Sequence, residues 1–481
     1  MVRLLSSRLL GSLGVVVLQP LMLQGAPPAA AEVDLRQPQM RVLVAEAAEL
    51  LVRADGAERL MVRGLGSGTL ELSRLRVVQR GGQLLVEAPG LGPTRVAGSA
   101  GLSVHSRDPR GVWLGKRRYG GELRLMVREG RLQAVNHLGV ESYLASVVGS
   151  EMPQEWPLAA LQAQAIAART YALRQRGRKG AFDVKATVAS QVYRGLESAT
   201  PRTREAVDST RSLVMVHGGK LINAVFHSSS GGATEPSGEV WRHQLPYLVS
   251  VRDHDHQSPV HRWQQTFDRQ QLRAAFRETG GLQALDVLTV STTGRLRSVR
   301  VRGPGGALVL SGRELRQRLG LKSTMVSFNW LAAGSSQGAI RSLQRQVPRP
   351  SSPKQQDQEL LVGTWRDSAS GSRRPPADIA PSAFDADSAF APLGLIKPPP
   401  PPAPGAVHLG SRRDMVLMVR GQGYGHGVGM SQWGARGLAE QGADFRQILE
   451  HYYQGVTIRP FLPVDDPAMA SIPIVRPAWS C

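Results

Sequence analysis

The chain has 481 residues, of which 41% are hydrophobic, enough for two or three domains with a buried core. Its formal net charge of +21 favours polyanionic partners such as nucleic acid, anionic lipid or a carboxylate-bearing polymer. Aromatic residues make up only 5% and are not interleaved with a Lys/Arg block, so nucleic acid is not expected as a partner.

Residues 1–31 have the features of a secretory signal peptide. Arg3 and Arg8 precede the apolar run LLGSLGVVVLQPLMLQ, and three alanines at 29–31 follow it. This order predicts cleavage before Glu32 and export to the periplasm or cell wall. The run is short and interrupted, so no stable membrane span is expected after cleavage; an uncleaved anchor is the alternative. The single cysteine, Cys481, allows no internal disulfide and no cysteine-based zinc site.

Residues 32–119 are predicted to form a β-rich N-terminal region. The stretch RVVQRGGQLLVEA has two apolar runs around Gly81 and Gly82, a hairpin pattern. The stretch LRLMVREGRLQAV repeats this pattern around Glu129 and Gly130. Both stretches therefore predict antiparallel strands.

Helices are predicted from about residue 139. GVESYLASVV predicts a short helix, and Pro157 suits the first position of a longer one that ends near Arg176. A single apolar stripe is expected on the longer helix, with Gln162, Gln164 and Arg169 off it. The stripe consists of Leu158, Leu161, Ala165, Ala168 and Ala172.

A third hairpin is predicted in SLVMVHGGKLINAVFH, with its turn at Gly218 and Gly219. On its second strand Asn223 and His227 are expected to share one face. His227 then ends the strand and leads into the Ser/Gly-rich loop SSSGGATEPSGEVW.

Residues 336–410 differ abruptly in composition. SSQGAIRSLQRQVPRPSSPKQQ and KPPPPPAPGA lack periodicity, which predicts a disordered linker or insertion with a polyproline II segment at 398–402. The part that follows, 411–465, is too short to bury its own core, so the insertion is expected to interrupt one domain that begins at 120–335. Residues 466–481 form a tail. The predicted fold class is α+β, a β-rich N-terminal lobe plus a mixed α/β catalytic domain.

The segment RGQGYGHGVGMSQWGA has glycine at nearly every second position. A phosphate-binding loop is not indicated, because no Gly-Lys-Ser/Thr end and no βαβ unit are present. The pattern fits a tight, bulged turn or a substrate groove, in which Tyr424 and His426 would contact a sugar.

Glu151, in VVGSEMPQEWP, has three possible roles. It could be a charge near a helix start, an ion-pair partner of Arg169, or an acid placed for chemistry. It precedes Pro157 by six positions, too far for an ordinary cap. Its apolar neighbours could raise the pKa of its carboxyl group.

A metal site is a further alternative. DHDHQSPVH contains Asp253, His254, Asp255, His256 and His261. Their spacing matches none of the common zinc motifs, so neither a metal nor another cofactor is expected.

Three segments together resemble the SpoIID/LytB family (stage II sporulation protein D / amidase enhancer). They are VESYLASVVGSEMPQEWPLAALQAQAIAARTYAL, LVMVHGGKLINAVFHSSSGGATEPSGEVW, and GQGYGHGVGMSQWGARGLAEQGADFRQILEHYYQGV. The resemblance covers roughly residues 120–335 and 411–457. It implies an exported protein that acts on peptidoglycan. Some sporulation-branch relatives bind zinc through cysteines, but this chain has serines in that loop.

The sporulation branch of this family is a lytic transglycosylase, and the glutamate of its EMP motif falls on Glu151. One carboxyl group suffices as general acid and base, because the 6-hydroxyl of the sugar replaces water as nucleophile. The other branch implies a non-catalytic enhancer of an N-acetylmuramoyl-L-alanine amidase. The implied partners are glycan strands and, for the enhancer, a cell-wall amidase. The expected substrate-binding residues are Arg169, His227, Ser228, Ser229, Tyr424, His426, Ser431 and Gln432.

Overall fold

A computed structural model describes residues 37–56, 58–177, 180–332, 406–408 and 415–466. The predicted signal peptide at 1–31, Cys481 and the tail after residue 466 lie outside the described residues. The predicted insertion lies outside them too, apart from residues 406–408.

The described residues contain both helices and strands, which confirms the α+β class. The eight α-helices are α1 (Val140–Glu151), α2 (Leu158–Gln175), α3 (Pro201–Asp208), α4 (Ser237–Val240), α5 (Arg269–Ala275), α6 (Gly312–Leu319), α7 (Gln432–Glu440) and α8 (Phe445–Tyr452). Short 3₁₀ turns occur at Leu196–Ser198, Arg277–Thr279 and Pro463–Asp465. Within the described ranges, no helix is both long and apolar enough to span a membrane.

The strands before α1 are β1 (Gln39–Ala47), β2 (Glu49–Arg53), β3 (Leu60–Arg63), β4 (Thr69–Leu72), β5 (Arg74–Arg80), β6 (Gln83–Ala88), β7 (Leu91–Ala97), β8 (Leu102–Ser106), β9 (Val112–Leu114), β10 (Arg117–Tyr119), β11 (Glu122–Arg128) and β12 (Arg131–Gly139). The later strands are β13 (Val184–Lys185), β14 (Leu213–His217), β15 (Lys220–Leu221), β16 (Phe226–His227), β17 (Arg262–Phe267), β18 (Ala284–Val290), β19 (Leu296–Gly303), β20 (Gly306–Ser311), β21 (Val326–Ala332), β22 (Ala406–His408), β23 (Met415–Gln422), β24 (Met430–Ser431) and β25 (Thr457–Pro460).

The first compact unit includes Ala45–Gly139 and consists of antiparallel strands. One set runs in the order β12-β11-β8-β3-β4 and the other in the order β10-β9-β2-β5-β6-β7. Both predicted hairpins are present, β5–β6 and β11–β12. Their turns have positive φ, at Gly81 and Gly82 in the first and at Glu129 and Gly130 in the second, which suits the twist of two-residue hairpin loops.

The second compact unit comprises Met40–Val44 and the chain from Val140 onward, and α2 lies at its centre. This helix contacts α1, α3, α7, α8 and strand β14. The expected single apolar stripe is therefore wrong, because Gln164 and Arg169 are as fully buried as Leu161 and Ala165. Because other elements pack on several sides of α2, residues around most of its circumference are buried, and its small alanines allow this close packing.

A second core in this unit unites chain segments from both sides of residues 333–405. Strand β23 lies between β17 and β21 in an antiparallel sheet. Its Leu417 and Val419 are fully buried in a cluster with Phe267, Leu285 and Val299. The chain after the predicted insertion thus supplies the central strand of a sheet begun before it.

The third predicted hairpin is shorter than expected. Strands β14 and β15 pair around Gly218 and Gly219, but β15 ends at Leu221. The prediction that Asn223 and His227 share a strand face is therefore wrong. After a break, β16 pairs in parallel with β24, so that Phe226 lies opposite Met430 and His227 opposite Ser431.

Candidate active site around Glu151

Glu151 is the last residue of α1, and its side chain is half-buried. Oε1 accepts a hydrogen bond from the backbone N–H of Val192 at 2.7 Å. Oε2 accepts one from Nε2 of Gln432 at 3.2 Å. The carboxyl group is thus held by two neutral donors from distant parts of the chain.

The surroundings of Glu151 favour its neutral form. Burial raises its pKa above the ordinary value, and the bonds from Val192 and Gln432 and the charge of Arg194 offset only part of that rise. The earlier idea of a charge near a helix start is wrong, because Glu151 lies at the C-terminal end of α1. There the helix dipole disfavours a negative charge, which acts in the same direction as burial.

Arg169 does not pair with Glu151, so that expectation is wrong. Its guanidinium group binds Glu141, with Nη2 2.6 Å from Oε2 and Nε 3.0 Å from Oε1. It also donates to the carbonyl groups of Leu213 and Val207. Because Arg169 is fully buried, it joins α1 and α2 beneath the surface rather than facing solvent.

The backbone donor at Val192 is placed by a loop that packs on α1. The hydroxyl of Ser146 donates to the carbonyl of Gly195 at 2.5 Å. At Gly149 an added Cβ would lie 1.9 Å from the carbonyl oxygen of Ser198, so only glycine permits this approach. Sequence reasoning missed Val192 and the nearby Arg194; the glycine inside helix α1 is the signal that could have indicated a close backbone contact.

The Ser/Gly loop lies against the segment RGQGYGHGVGMSQWGA, which is called the Gly/His segment. Ser229 and Tyr424 exchange two backbone hydrogen bonds, at 2.7 and 3.1 Å. The N–H of Trp433 donates to the carbonyl of Ser228 at 3.0 Å. Ser228, Ser229 and Tyr424 are therefore neighbours through their backbones.

The alternating glycines permit close backbone packing. An added Cβ would lie 2.5 Å from the carbonyl oxygen of Ser229 at Gly423, 2.7 Å from Cβ of His227 at Gly425, and 2.2 Å from the carbonyl oxygen of Val225 at Gly429. All three glycines also have positive φ. The bulged structural turn, one of the two sequence interpretations, accounts for these positions.

Two histidines lie side by side in this region, with ring centroids of His227 and His426 5.4 Å apart. Nδ1 of His227 is 3.1 Å from the carbonyl oxygen of Val428, and its Nε2 is 3.1 Å from Oγ of Ser230. Burial and neighbouring positive charge hold the pKa of His227 well below its ordinary value and lower the pKa of His426 to about 4. Both rings are therefore neutral near pH 7.

Helix α7 begins at this point and carries the remaining predicted residues. Ser431 caps it by accepting from the N–H of Gly434 at 3.1 Å. Gln432, the first helical residue, contacts Glu151. Trp433 packs edge-to-face on Trp156 with centroids 4.8 Å apart, and the guanidinium carbon of Arg436 lies 5.1 Å from the Trp433 ring centroid. An indole and a cation thus follow Gln432 along the helix.

The histidine- and aspartate-rich segment DHDHQSPVH places two aspartates against the Ser/Gly loop. Asp255 is fully buried and accepts from the Ser229 hydroxyl, from the N–H of Gly231 and from Nδ1 of His261. Asp253 contacts Ser230 in the same loop. Among the described residues, no group of three His, Cys, Asp or Glu side chains is arranged to hold a metal ion. The two aspartates hold the Ser/Gly loop.

Comparisons with known proteins agree with the resemblance stated from the sequence. The model of the family SpoIID, described as stage II sporulation protein, matches residues 128–217. The amidase enhancer of Bacillus subtilis (strain 168) is 29% identical over 323 residues, 66% of this chain and 40% of that protein. Stage II sporulation protein D of Bacillus amyloliquefaciens is 26% identical over 346 residues, 68% of this chain and 75% of that protein. The corresponding protein of Bacillus subtilis (strain 168) is 25% identical over the same length, 68% of this chain and 76% of that protein. The chain therefore spans less than half of the amidase enhancer.

Proposed function

Because this chain carries a domain of the SpoIID/LytB family, we propose that it is an exported lytic transglycosylase that cleaves glycan strands of peptidoglycan. The observation that carries the proposal is the environment of Glu151. Its carboxyl group is half-buried, has a raised pKa, and is oriented by Val192 and Gln432 without a cationic hydrogen-bond partner. Such a group retains a proton that it can donate to a leaving oxygen.

In the proposed reaction Glu151 first acts as the general acid. It protonates the glycosidic oxygen as the bond to the anomeric carbon breaks, and it is then a carboxylate. As a carboxylate it removes the proton from the 6-hydroxyl of the same sugar, whose oxygen attacks the anomeric carbon and closes a 1,6-anhydro ring. The proton returns to Glu151, so one carboxyl group completes the cycle.

Other residues of the proposed site are assigned by their positions. Gln432 orients Glu151, and Tyr424 and Trp433 offer partly exposed rings for sugar faces. His227, Ser229 and Ser431 are buried, so we assign them to holding the site rather than to contact with the substrate. Arg169 is likewise assigned to positioning α1, which ends in Glu151.

The proposal is tested with purified protein and isolated glycan strands, by mass detection of 1,6-anhydro ends. We expect the wild type to release them and Glu151→Gln to release fewer by about 10³-fold or more, as is usual when a proton donor is lost without a substitute. Glu155→Gln is the matched control, because Glu155 is an exposed carboxylate on the turn that follows α1. Equal release by wild type and Glu151→Gln, or no release by either on any glycan, would contradict the proposal.

A non-catalytic enhancer of a cell-wall amidase is the second candidate. One observation favours it: a 29% identical relative is named an amidase enhancer. The enhancer reading predicts that wild type and Glu151→Gln bind wall sacculi equally. It also predicts that both raise the rate of an added N-acetylmuramoyl-L-alanine amidase to the same extent, without anhydro products.

A further inference from the structure

Asp253 connects three elements beside the proposed site. Its Oδ2 lies 2.5 Å from Oγ of Ser230, in the Ser/Gly loop. Its Oδ1 accepts from the hydroxyl of Tyr452 on α8 at 2.6 Å. An added Cβ at Gly434 of α7 would lie 1.8 Å from that same Oδ1. Asp253 is nearly fully buried, so it is packed between the loop and both helices.

The contacts around Ser230 can be satisfied only with a specific number of protons. Oγ of Ser230 contacts both Oδ2 of Asp253 and Nε2 of His227, but a hydroxyl carries one proton to donate. Nδ1 of His227 faces the carbonyl oxygen of Val428, which only accepts, so the proton of a neutral ring belongs on Nδ1 and Nε2 must accept. With Asp253 ionised and His227 neutral, Oδ2 and Nε2 would both be acceptors that face the hydroxyl of Ser230, which can donate its one proton to only one of them.

One added proton removes this conflict. With Oδ2 of Asp253 protonated, Asp253 donates to Ser230, Ser230 donates to Nε2 of His227, and His227 donates to Val428. Each contact between the three side chains and Val428 then has one donor and one acceptor. The backbone N–H groups of Ser230 and His254 still donate to Oδ2 and Oδ1 of Asp253, at 3.3 and 2.9 Å. A charged imidazolium with an ionised Asp253 would also give each of these contacts one donor and one acceptor. That arrangement places two charges in a buried region, which is costly.

We propose that Asp253, Ser230 and His227 form a buried relay of hydrogen bonds in which a protonated Asp253 donates to Ser230 and Ser230 donates to a neutral His227. The relay fixes the Ser/Gly loop, whose Ser228 carbonyl receives the N–H of Trp433 in α7. Asp253 is therefore a positioning residue for the helix that begins with Gln432. This last step depends on the proposed function of Glu151, whereas the relay itself does not.

The charges around the relay agree with this assignment of protons. Burial and the neighbouring Asp255 raise the pKa of Asp253, and burial, His426, Arg295 and Arg316 lower the pKa of His227. The groups that face the three residues are Asp255, Tyr452, His254, Ser431, His426, Arg295 and Arg316. As pH rises through the pKa of Asp253, its proton is lost, Ser230 turns to the carboxylate, and Nε2 of His227 loses its donor.

The relay is tested by NMR on the full chain with ¹⁵N-labelled histidine, with His227 assigned through a His227→Gln variant. We expect His227 to be neutral near pH 6, with its proton on Nδ1 and with Nε2 shifted by an accepted hydrogen bond. Ser230→Ala should move the ¹⁵N chemical shift of Nε2 to that of a nitrogen without a hydrogen bond. Asp253→Asn should keep the shift of the hydrogen-bonded nitrogen, because the amide N–H of asparagine can replace the proton of the acid. This variant should also lack the change in that shift that wild type shows as pH rises.

Asp255→Asn is the matched comparison, since this carboxylate lies two positions away and does not bond Ser230. Because the charge of Asp255 raises the pKa of Asp253, this variant should keep the pH-dependent change in the Nε2 signal of His227 but move it to lower pH. An imidazolium near pH 6, a proton on Nε2, or an identical pH response in Asp253→Asn would each overturn the relay. Should Ser230→Ala not fold, Asp253→Asn alone still decides. All spectra can be repeated in the Glu151→Gln background, so failure of the relay is distinguishable from failure of the proposed catalysis.

Discussion

Nε2 of Gln432 lies 3.2 Å from Oε2 of Glu151, although 281 positions separate the two residues in the sequence. Gln432 begins α7, and Glu151 ends α1. The bond therefore requires helices from both sides of the predicted insertion to be packed against the central helix α2. Together with the bond from the backbone N–H of Val192, it is how the tertiary structure sets the surroundings of the proposed acid.

The Gln432 bond predicts a shift in pH dependence. Its donation to the carboxylate lowers the pKa of Glu151, so Gln432→Ala should raise that pKa further. A general acid is lost as pH rises through its pKa, so the alkaline limb of kcat/KM should move to higher pH. The pH profile of anhydro-product release measures this. Gln454→Ala is the control, because its side chain bonds backbone carbonyls of α8; a shift to lower pH in Gln432→Ala would contradict the assignment.

The raised pKa of Glu151 also predicts a pH-dependent stability change. Its folded-state pKa lies above the ordinary value of 4.5, so its contribution to stability is fully present below that value and is lost as pH rises through the folded pKa. Glu151→Gln cannot ionise and escapes this loss. Urea unfolding should therefore show a larger gain in the free energy of unfolding for Glu151→Gln at pH 8 than at pH 4. A gain that is greater at pH 4 would refute the burial argument.

Because Arg169 and Glu141 form a buried ion pair, we expect that removing one partner lowers the free energy of unfolding strongly. Arg169→Met leaves a carboxylate buried without its cation, and such changes cost about 3–5 kcal/mol. The double variant Arg169→Met/Glu141→Leu should recover part of that loss. As a control, Arg211→Ala breaks a pair whose side chains are 53% and 60% exposed and should cost less than about 1 kcal/mol. Urea unfolding measures these losses. Equal losses in Arg169→Met and Arg211→Ala would contradict a structural role of the pair of Arg169 and Glu141.

Close packing of α7 predicts that Gly434 tolerates no side chain. A Cβ there would lie 1.8 Å from Oδ1 of Asp253 and 2.0 Å from the hydroxyl oxygen of Tyr452. Gly434→Ala should therefore lower the free energy of unfolding by about 1–3 kcal/mol, a typical cost of overpacking. Gly68→Ala, at a position with nothing within 4 Å, should be nearly neutral. Equal stability of the two variants would mean that α7 is not held against Asp253 in this way.

Local patterns were enough to predict the elements that depend on neighbouring residues. The hairpins at Gly81–Gly82 and Glu129–Gly130 were predicted from turn residues between alternating strands, because a two-residue turn is decided by its own φ values. The helix from residue 158 was also predicted. Its expected stripe was wrong, since the burial of Gln164 depends on neighbours that periodicity within α2 does not reveal.

The sequence by itself predicted the α+β class, because that class depends on residue types and local spacing, and the resemblance of three segments to the SpoIID/LytB family nominated Glu151. Only the tertiary structure decided the partners of each group. It paired Arg169 with Glu141 instead of Glu151, and it brought Val192 and Gln432 to the carboxyl group. The physical reason is that a buried polar group bonds whatever the packed elements place within about 3 Å of it, and that distance is set by the whole fold.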